Sequence, residues 1–268
     1  MLNRVLAVLL TIICIGSIVY GYLHWTDKIG SPTRSVSKVI EADPSDNEKK
    51  IDSSTPSPLT LEEIQDKVSN LPSSVQGTFI SSYKENQPVS ILFVGSASMG
   101  TSESGWGALL REKLQEVYGQ EFVKIELLPY IGTSEDFVSE LDSMEVASKP
   151  YDIVLFEPFT LTDNGVYLVE ENHENIMSVL ETFEEVNPDV KLILQPPQPI
   201  FGADIYPRQV EDLAKFAEEN SIPYVDHWTS WPDGEDEALK EYLDEESNPN
   251  EAGAEVWAEA LIGYFVAE

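Results

Sequence analysis

Short apolar segments alternate with segments of helical periodicity from about residue 89 to residue 266, and this alternation constrains the fold most strongly. Alternation with short connections is typical of a parallel sheet that carries helices on both faces. We therefore predict a three-layer α/β/α sandwich, flavodoxin-like in arrangement, around a five-stranded parallel sheet. The predicted strands are Ser90–Val94, Val123–Leu128, Asp152–Phe156, Val190–Leu194 and Tyr224–Val225. The predicted helices lie near residues 105–118, 135–145, 168–187, 206–220 and 250–266.

The first 25 residues are almost free of charge and predict a membrane anchor. No Asp, Glu, Lys or Arg occurs between Arg4 and Asp27, and about 20 apolar residues suffice to cross a bilayer. Aromatic residues between Tyr20 and Trp25 lie where such a helix meets the outer interface. A cleavable signal peptide is the alternative, but no clear small-x-small cleavage site follows the apolar run. We expect an uncleaved, single-pass transmembrane anchor in the cell membrane, with the C-terminal domain on the extracytoplasmic side.

Two further segments precede the α/β domain. Residues 26–58 are rich in Ser, Pro, Asp and Lys and contain hardly any aromatic residue, so they predict a disordered stalk. Residues 59–88 contain two helical patterns, the first of which begins with a capping box of Thr60 and Glu63. The α/β domain is then expected to occupy residues 89–268.

The charge and cysteine content exclude several classes of function. The chain carries 48 acidic and 16 basic residues and a net charge of −32, which repels phosphate backbones, so we expect no nucleic-acid partner. A single cysteine excludes an intramolecular disulfide. The many carboxylates lack the regular spacing and central glycine of a calcium loop, so we expect no metal site and no cofactor.

The order of short motifs along residues 89–265 resembles that of the SGNH, or GDSL, hydrolases. That family has Gly-Asp-Ser after its first strand, a glycine after its second, an asparagine after its third and Asp-x-x-His-Pro before its last helix. The corresponding segments here read "GSAS", "IGTS", "TDNG" and "EESNPN". The phrases "QPPQPI", "YVDHWTSWPD" and "NPNEAGAEVWAEAL" are similar to those of membrane-anchored envelope proteins of Gram-positive bacteria. The resemblance implies a serine hydrolase that acts on esters.

The first motif departs from the family at its nucleophile. In ungapped register the family's serine falls on Ala97, which is flanked by Ser96 and Ser98. Either serine is a candidate nucleophile if the turn is reshaped by one residue. The alternative is that both serines cap backbone groups of a tight turn.

The general base of the family is also replaced. Asn248 stands at the position of the histidine and Glu245 at that of the aspartate, and an asparagine does not accept the proton of a serine. His227 follows the last predicted strand and is therefore the candidate base, with Asp226 or Glu245 holding its other nitrogen. The alternative is that His227 packs locally and Asp226 only fixes the loop.

Two further residues are candidates for an oxyanion hole. Gly132 occupies the place of the family's oxyanion glycine, and Asn164 lies a few residues beyond the family's asparagine position. A backbone N–H and a side-chain amide there would stabilise a tetrahedral intermediate. Both residues also fit ordinary turns.

These observations leave two functions open. The first is a membrane-anchored, extracytoplasmic serine hydrolase that acts on small acyl esters, such as acetyl groups of envelope glycans. The second is a catalytically inactive relative that binds a cell-wall component or a protein partner.

Overall fold

The computed structural model describes residues 59–267. The predicted membrane anchor and stalk therefore lie outside the described residues. Within residues 59–267, no helix combines the length and the apolar character needed to cross a membrane.

Four parallel strands form the central sheet of the described residues, in the spatial order β2-β1-β3-β4. Gly95 lies opposite Pro129, and Phe156 lies opposite Leu194, so the carboxyl ends of the strands meet at one edge. The predicted parallel sheet is confirmed. The strands are β1 (Val89–Gly95), β2 (Val123–Pro129), β3 (Ile153–Phe156) and β4 (Lys191–Leu194).

The prediction of a complete fifth strand is wrong. Tyr224 forms a single parallel bridge with Leu194, and a short 3-10 helix, His227–Ser230, begins three residues later. Pro223 has no N–H to donate to a ladder, so little of this segment can pair as a strand. The sheet edge beside β4 is therefore covered by one bridge and a loop.

Seven of the eight α-helices of the described residues match the predicted helical segments within a few residues, and the short helix Thr160–Asp163 was not predicted. The predicted capping box is present, since the Thr60 N–H donates to Glu63 Oε2 at 2.7 Å. The helices are α1 (Leu61–Lys67), α2 (Ser73–Glu85), α3 (Trp106–Tyr118), α4 (Ser134–Leu141), α5 (Thr160–Asp163), α6 (Val169–Val186), α7 (Tyr206–Glu219) and α8 (Glu251–Phe265).

Alternate side chains of β1 enter two separate hydrophobic cores. Ile91 and Phe93 belong to a core with α1, α2, α3 and α8, whereas Leu92 and Val94 belong to a core with α4, α6 and α7. Because neighbouring strand residues point to opposite faces, the sheet is covered on both sides. This confirms the three-layer arrangement.

The two N-terminal helices are part of the first core. Ile64 of α1, Val68 directly after α1, and Val75 and Phe79 of α2 are at most 1% exposed. They pack in the same cluster as the sheet and α8. The backbone N–H of Ala267 also donates to Lys67 O at 2.7 Å. Residues 59–88 thus complete the α/β domain.

Candidate active site

The turn after β1 carries both candidate serines at the carboxyl edge of the sheet. Ser96 caps the short 3-10 helix Ala97–Met99, and its hydroxyl accepts a hydrogen bond from the Ser98 N–H at 3.3 Å. Ser96 and Ser98 are half-buried, whereas Ala97 is exposed. The capping role predicted as the alternative is therefore observed for Ser96, and both hydroxyl-bearing residues remain partly accessible.

Ser98 lies against the residue that replaces the family's histidine. Its hydroxyl is 3.5 Å from Oδ1 of Asn248, which is at the long limit of a hydrogen bond. Asn248 is held by Asp244, whose Oδ1 accepts the Asn248 N–H at 2.9 Å. The structure thus brings together two of the predicted site residues, but a carboxamide at this distance offers no base.

His227 does not offer a base either, which corrects the role predicted for it. The ring is fully buried, its Nε2 is 2.8 Å from Pro196 O, and its Nδ1 accepts a hydrogen bond from Trp231 Nε1 at 3.0 Å. It also stacks on Trp257 at 4.3 Å. Burial lowers the pKa of His227 to about 3, which outweighs the opposite effect of Pro196 O. Both nitrogens are occupied, so His227 packs the loop.

Asp226 and Glu245, the two predicted partners of His227, do not hold its ring. Asp226 is exposed and accepts the Trp228 N–H at 3.2 Å, so it fixes the loop. Glu245 is also exposed, and the hydrogen bonds that order its loop go to the neighbouring Asp244. Neither the sequence neighbour Asp226 nor Glu245, which stands at the position of the family's aspartate, forms a charge relay with His227.

Gly132 and Asn164 lie on the two loops that flank the serine turn. Gly132 stands three residues after Pro129, the partner of Gly95, and a Cβ there would come within 2.7 Å of Tyr130 Cε1. Within residues 59–267, no hydrogen bond uses the Gly132 N–H or the Asn164 side-chain amide. Both residues are half-buried, and within the described residues no hydrogen bond joins either of them to Ser96 or Ser98.

A buried carboxylate at this edge was missed by the sequence analysis. Glu157 follows β3 directly and is fully buried. Its Oε2 accepts the Ser96 N–H at 2.6 Å, and its Oε1 accepts the Phe159 N–H at 3.1 Å. Burial raises the pKa of Glu157 to about 7, and the hydrogen bonds from Ser96 and Phe159 oppose this rise. A single glutamate directly after a fully apolar strand was the signal in the sequence.

A second buried polar cluster supports the loops on the other side of the site. Asp163 accepts hydrogen bonds from the Ser134 N–H at 2.9 Å, from the Ser134 hydroxyl at 2.5 Å and from Asn172 Nδ2 at 2.7 Å. Asn175 Nδ2 donates to the Ser134 hydroxyl at 2.9 Å. These bonds join α4, α5 and α6 beneath the loop that carries Asn164.

Two cavities lie away from the serines. One, of about 520 Å³, is at the amino-terminal edge of the sheet, with Ser90 and Glu126 among its lining residues. The other, of about 500 Å³, lies between α6 and α7, with His173 and Phe216 among its lining residues. The described part of the chain contains no group of three or more His, Cys, Asp or Glu side chains that could hold a metal ion.

Solved structures with the same fold are ester hydrolases by description. A protein assigned to the G-D-S-L lipolytic family from Desulfitobacterium hafniense DCB-2 is 21% identical, with a TM-score of 0.51, over 66% of this chain and 99% of that chain. An acetylxylan esterase from Geobacillus stearothermophilus is 18% identical, with a TM-score of 0.54, over 66% of this chain and 93% of that chain. A GDSL-like lipase from Parabacteroides merdae is 15% identical, with a TM-score of 0.55, over 66% of this chain and 94% of that chain.

No protein-family model matches the sequence, and no curated protein matches it. At 15–21% identity the solved structures establish the fold but not the reaction, which depends on the residues of the site. The resemblance inferred from the order of motifs is confirmed at this level: the chain has the fold of the SGNH/GDSL hydrolases.

Proposed function

We propose that this chain is a membrane-anchored, extracytoplasmic ester hydrolase with the SGNH-hydrolase fold, acting on small acyl esters such as acetyl groups of envelope glycans. The observation that carries the proposal is the half-buried pair Ser96 and Ser98 on the turn after β1. The carboxyl edge of an open α/β sheet is where such folds bind ligands. The esterases that share the fold support the same class of reaction.

The electrostatics of the chain favour an uncharged substrate. A net charge of −32 raises the energy of bringing a polyanion to the surface. An acetyl ester on a neutral sugar carries no charge, and amide donors from Gly132 and Asn164 would suit the developing charge of an ester carbonyl oxygen. The membrane anchor predicted from the uncharged N-terminal segment would place the domain beside the envelope.

The proposal is tested with the full chain purified in detergent. We expect release of nitrophenol from p-nitrophenyl acetate, and of acetate from acetylated glycan, above the rate of a buffer blank. The Ser96→Ala/Ser98→Ala double variant should lose this release, and a fluorophosphonate probe should label the natural protein but not the variant. Turnover that persists in the double variant, or a natural protein with neither turnover nor label, would refute the proposal.

A second candidate function is binding without turnover. Two observations favour it. Ser98 contacts the Asn248 carboxamide at the position where the family has its base, and both ring nitrogens of His227 already have hydrogen-bond partners. In that case an acetylated oligosaccharide should bind in a calorimetric titration without release of acetate. Asn248→Ala should weaken this binding.

A further inference from the structure

The carboxylate of Glu157 lies directly behind the turn that carries the candidate serines. Its Oε2 is 2.6 Å from the Ser96 N–H, and its Oε1 is 3.1 Å from the Phe159 N–H. The same carboxylate packs closely on Gly95, where an added Cβ would lie 3.1 Å from Oε2. Two backbone donors from two loops therefore fix the position of this carboxylate at the sheet edge.

Ser96 donates its backbone N–H to Glu157 Oε2 at 2.6 Å, so the hydroxyl of the same residue lies beside this carboxylate. The Ser96 hydroxyl also accepts the Ser98 N–H at 3.3 Å. A backbone N–H directed at a serine oxygen stabilises the negative charge that develops when the proton leaves.

The environment of Glu157 suits a group that gains and loses a proton near neutral pH. Burial raises the pKa of Glu157 to about 7, and a general base works best when its pKa lies close to the working pH. The other ionisable groups that act on it are Asp163 of α5, which raises its pKa, and Tyr206 at the start of α7, whose own pKa it raises. Neither carries a positive charge that would hold the carboxylate permanently ionised.

We propose that Ser96 and Glu157 form the nucleophile and general base of this site, in place of the serine–histidine pair that the sequence has lost. The inference rests on the proposed ester hydrolysis and assigns its chemistry to particular atoms. Ser98 is the weaker candidate because its side-chain contact is with Oδ1 of Asn248, which does not take up a proton.

The reaction proceeds in two steps, acylation of Ser96 and hydrolysis of the acyl-serine, and in each step Glu157 accepts one proton and gives it back. Glu157 accepts the proton of the Ser96 hydroxyl while the serine oxygen forms a bond to the acyl carbon and the carbonyl electrons move onto its oxygen. The tetrahedral intermediate then expels the alcohol oxygen, which takes the proton from Glu157, and leaves an acyl-Ser96 ester. A water molecule gives a proton to Glu157 as it attacks this ester, and the proton returns to Ser96 as the carboxylic acid leaves.

Four single variants of the full chain test the pair. Ser96→Ala keeps the backbone N–H that Glu157 accepts, and Glu157→Gln removes the base with little change in volume. Ser90→Ala and Glu126→Gln are the matched controls, because both residues line the cavity at the opposite edge of the sheet and both are half-buried. Each protein is assayed for kcat/KM on p-nitrophenyl acetate from pH 5 to 9, and the residue labelled by a fluorophosphonate probe is identified by mass spectrometry.

If the pair is correct, the natural protein gains activity as the pH rises through about 7 and the probe labels Ser96. Glu157→Gln should lower kcat by roughly 10²-fold or more and remove this pH dependence, and Ser96→Ala should abolish turnover and labelling. The two control variants should keep the natural rate and profile. The melting temperature of each variant is measured, because a merely structural loss would reduce the active fraction and leave the pH profile unchanged.

Three results would overturn the pair: labelling of Ser98 in place of Ser96, turnover that survives in Ser96→Ala, or an unchanged pH profile in Glu157→Gln. Each of these results is still compatible with the proposed ester hydrolysis. A natural protein without turnover or label would overturn the proposed function and the pair together.

Discussion

At the scale of single residues, burial affects the ionisable side chains of His227 and Glu157 in opposite ways. Burial lowers the pKa of His227 to about 3 and raises the pKa of Glu157 to about 7. The imidazole is neutral and has both nitrogens bonded, so it stays a packing residue. The carboxylate titrates near neutral pH and accepts hydrogen bonds from two loops. The sequence pointed to the histidine because imidazole is the usual base, and only the three-dimensional structure shows which group faces a serine.

The free energy of unfolding should depend on pH because Glu157 titrates at different pH values in the folded and unfolded states. Its pKa is raised from the usual 4.5 to about 7, so the folded state holds more protons than the unfolded state between these values. The stabilising contribution of the neutral carboxyl is complete below pH 4.5 and is lost as the pH rises to about 7. The free energy of unfolding should fall by about 3 kcal/mol across this window from this group.

Urea unfolding of the natural protein and of Glu157→Gln at pH 4.5 and pH 8 checks this expectation. The fall in unfolding free energy with pH should be smaller in the variant by about 3 kcal/mol. His227 acts in the opposite direction, since its lowered pKa removes stability as the pH falls below 6.5, but it is present in both proteins and cancels. Equal pH dependence in the two proteins would show that Glu157 does not titrate in this range.

Asn248→His should install a base beside Ser98. The Asn248 side chain lies 3.5 Å from the Ser98 hydroxyl, and its backbone is held by Asp244, so an imidazole there can reach the serine. We expect hydrolysis of p-nitrophenyl acetate to rise at least about tenfold, because general-base assistance contributes roughly 10²–10⁴-fold in favourable geometry. Asn248→Gln, which keeps an amide, is the control. A gain that persists after Ser98→Ala is added would contradict the expectation.

At the scale of elements, apolar periodicity predicted seven of the eight described helices and four strands, because each of these elements buries one or both of its faces. The helix α5 has only four residues, too few to show a helical period. The reduction of the predicted fifth strand to a single bridge could not be foreseen in this way, since Tyr224 and Val225 are apolar whether or not they pair. Loop chemistry was harder still. Asp244, one residue from the predicted Glu245, orders the loop before α8, and the choice between adjacent carboxylates depends on backbone direction, which composition does not specify.

Asp163, the last residue of α5, should be sensitive to substitution because its carboxylate is buried and hydrogen-bonded. It accepts three hydrogen bonds from Ser134 and Asn172 and is 3% exposed. Asp163→Ala leaves buried donors without partners, which costs about 1–3 kcal/mol for each unpaired group. We expect the unfolding free energy, measured by urea denaturation, to fall by about 3 kcal/mol or more. Asp142→Ala, at the exposed end of α4, is the control; an equal loss in both variants would contradict the importance of the cluster.

At the scale of the whole molecule, the acidic surface and the single sheet were accessible from composition and pattern. The N-terminal boundary of the folded unit could not be predicted from composition and pattern. The sequence separated residues 59–88 from the α/β domain because their helical patterns precede the first strand. The structure places their apolar side chains in the core shared with α3 and α8. Sequence distance gave no indication that α1 and α8 are neighbours.

Truncation should therefore show whether the folded unit begins at residue 59 or at residue 89. A chain that begins at residue 59 keeps every contact of the described core, so its melting temperature should match that of the full chain. A chain that begins at residue 89 loses the buried side chains Ile64, Val68, Leu71, Val75 and Phe79. At about 1.5–3 kcal/mol for each fully buried side chain, their loss amounts to roughly 7–15 kcal/mol. A domain is typically stable by only about 5–15 kcal/mol, so the shorter chain should not fold. Circular dichroism melts of both chains measure this, and a cooperative transition in the shorter chain would show that the first core is complete without α1 and α2.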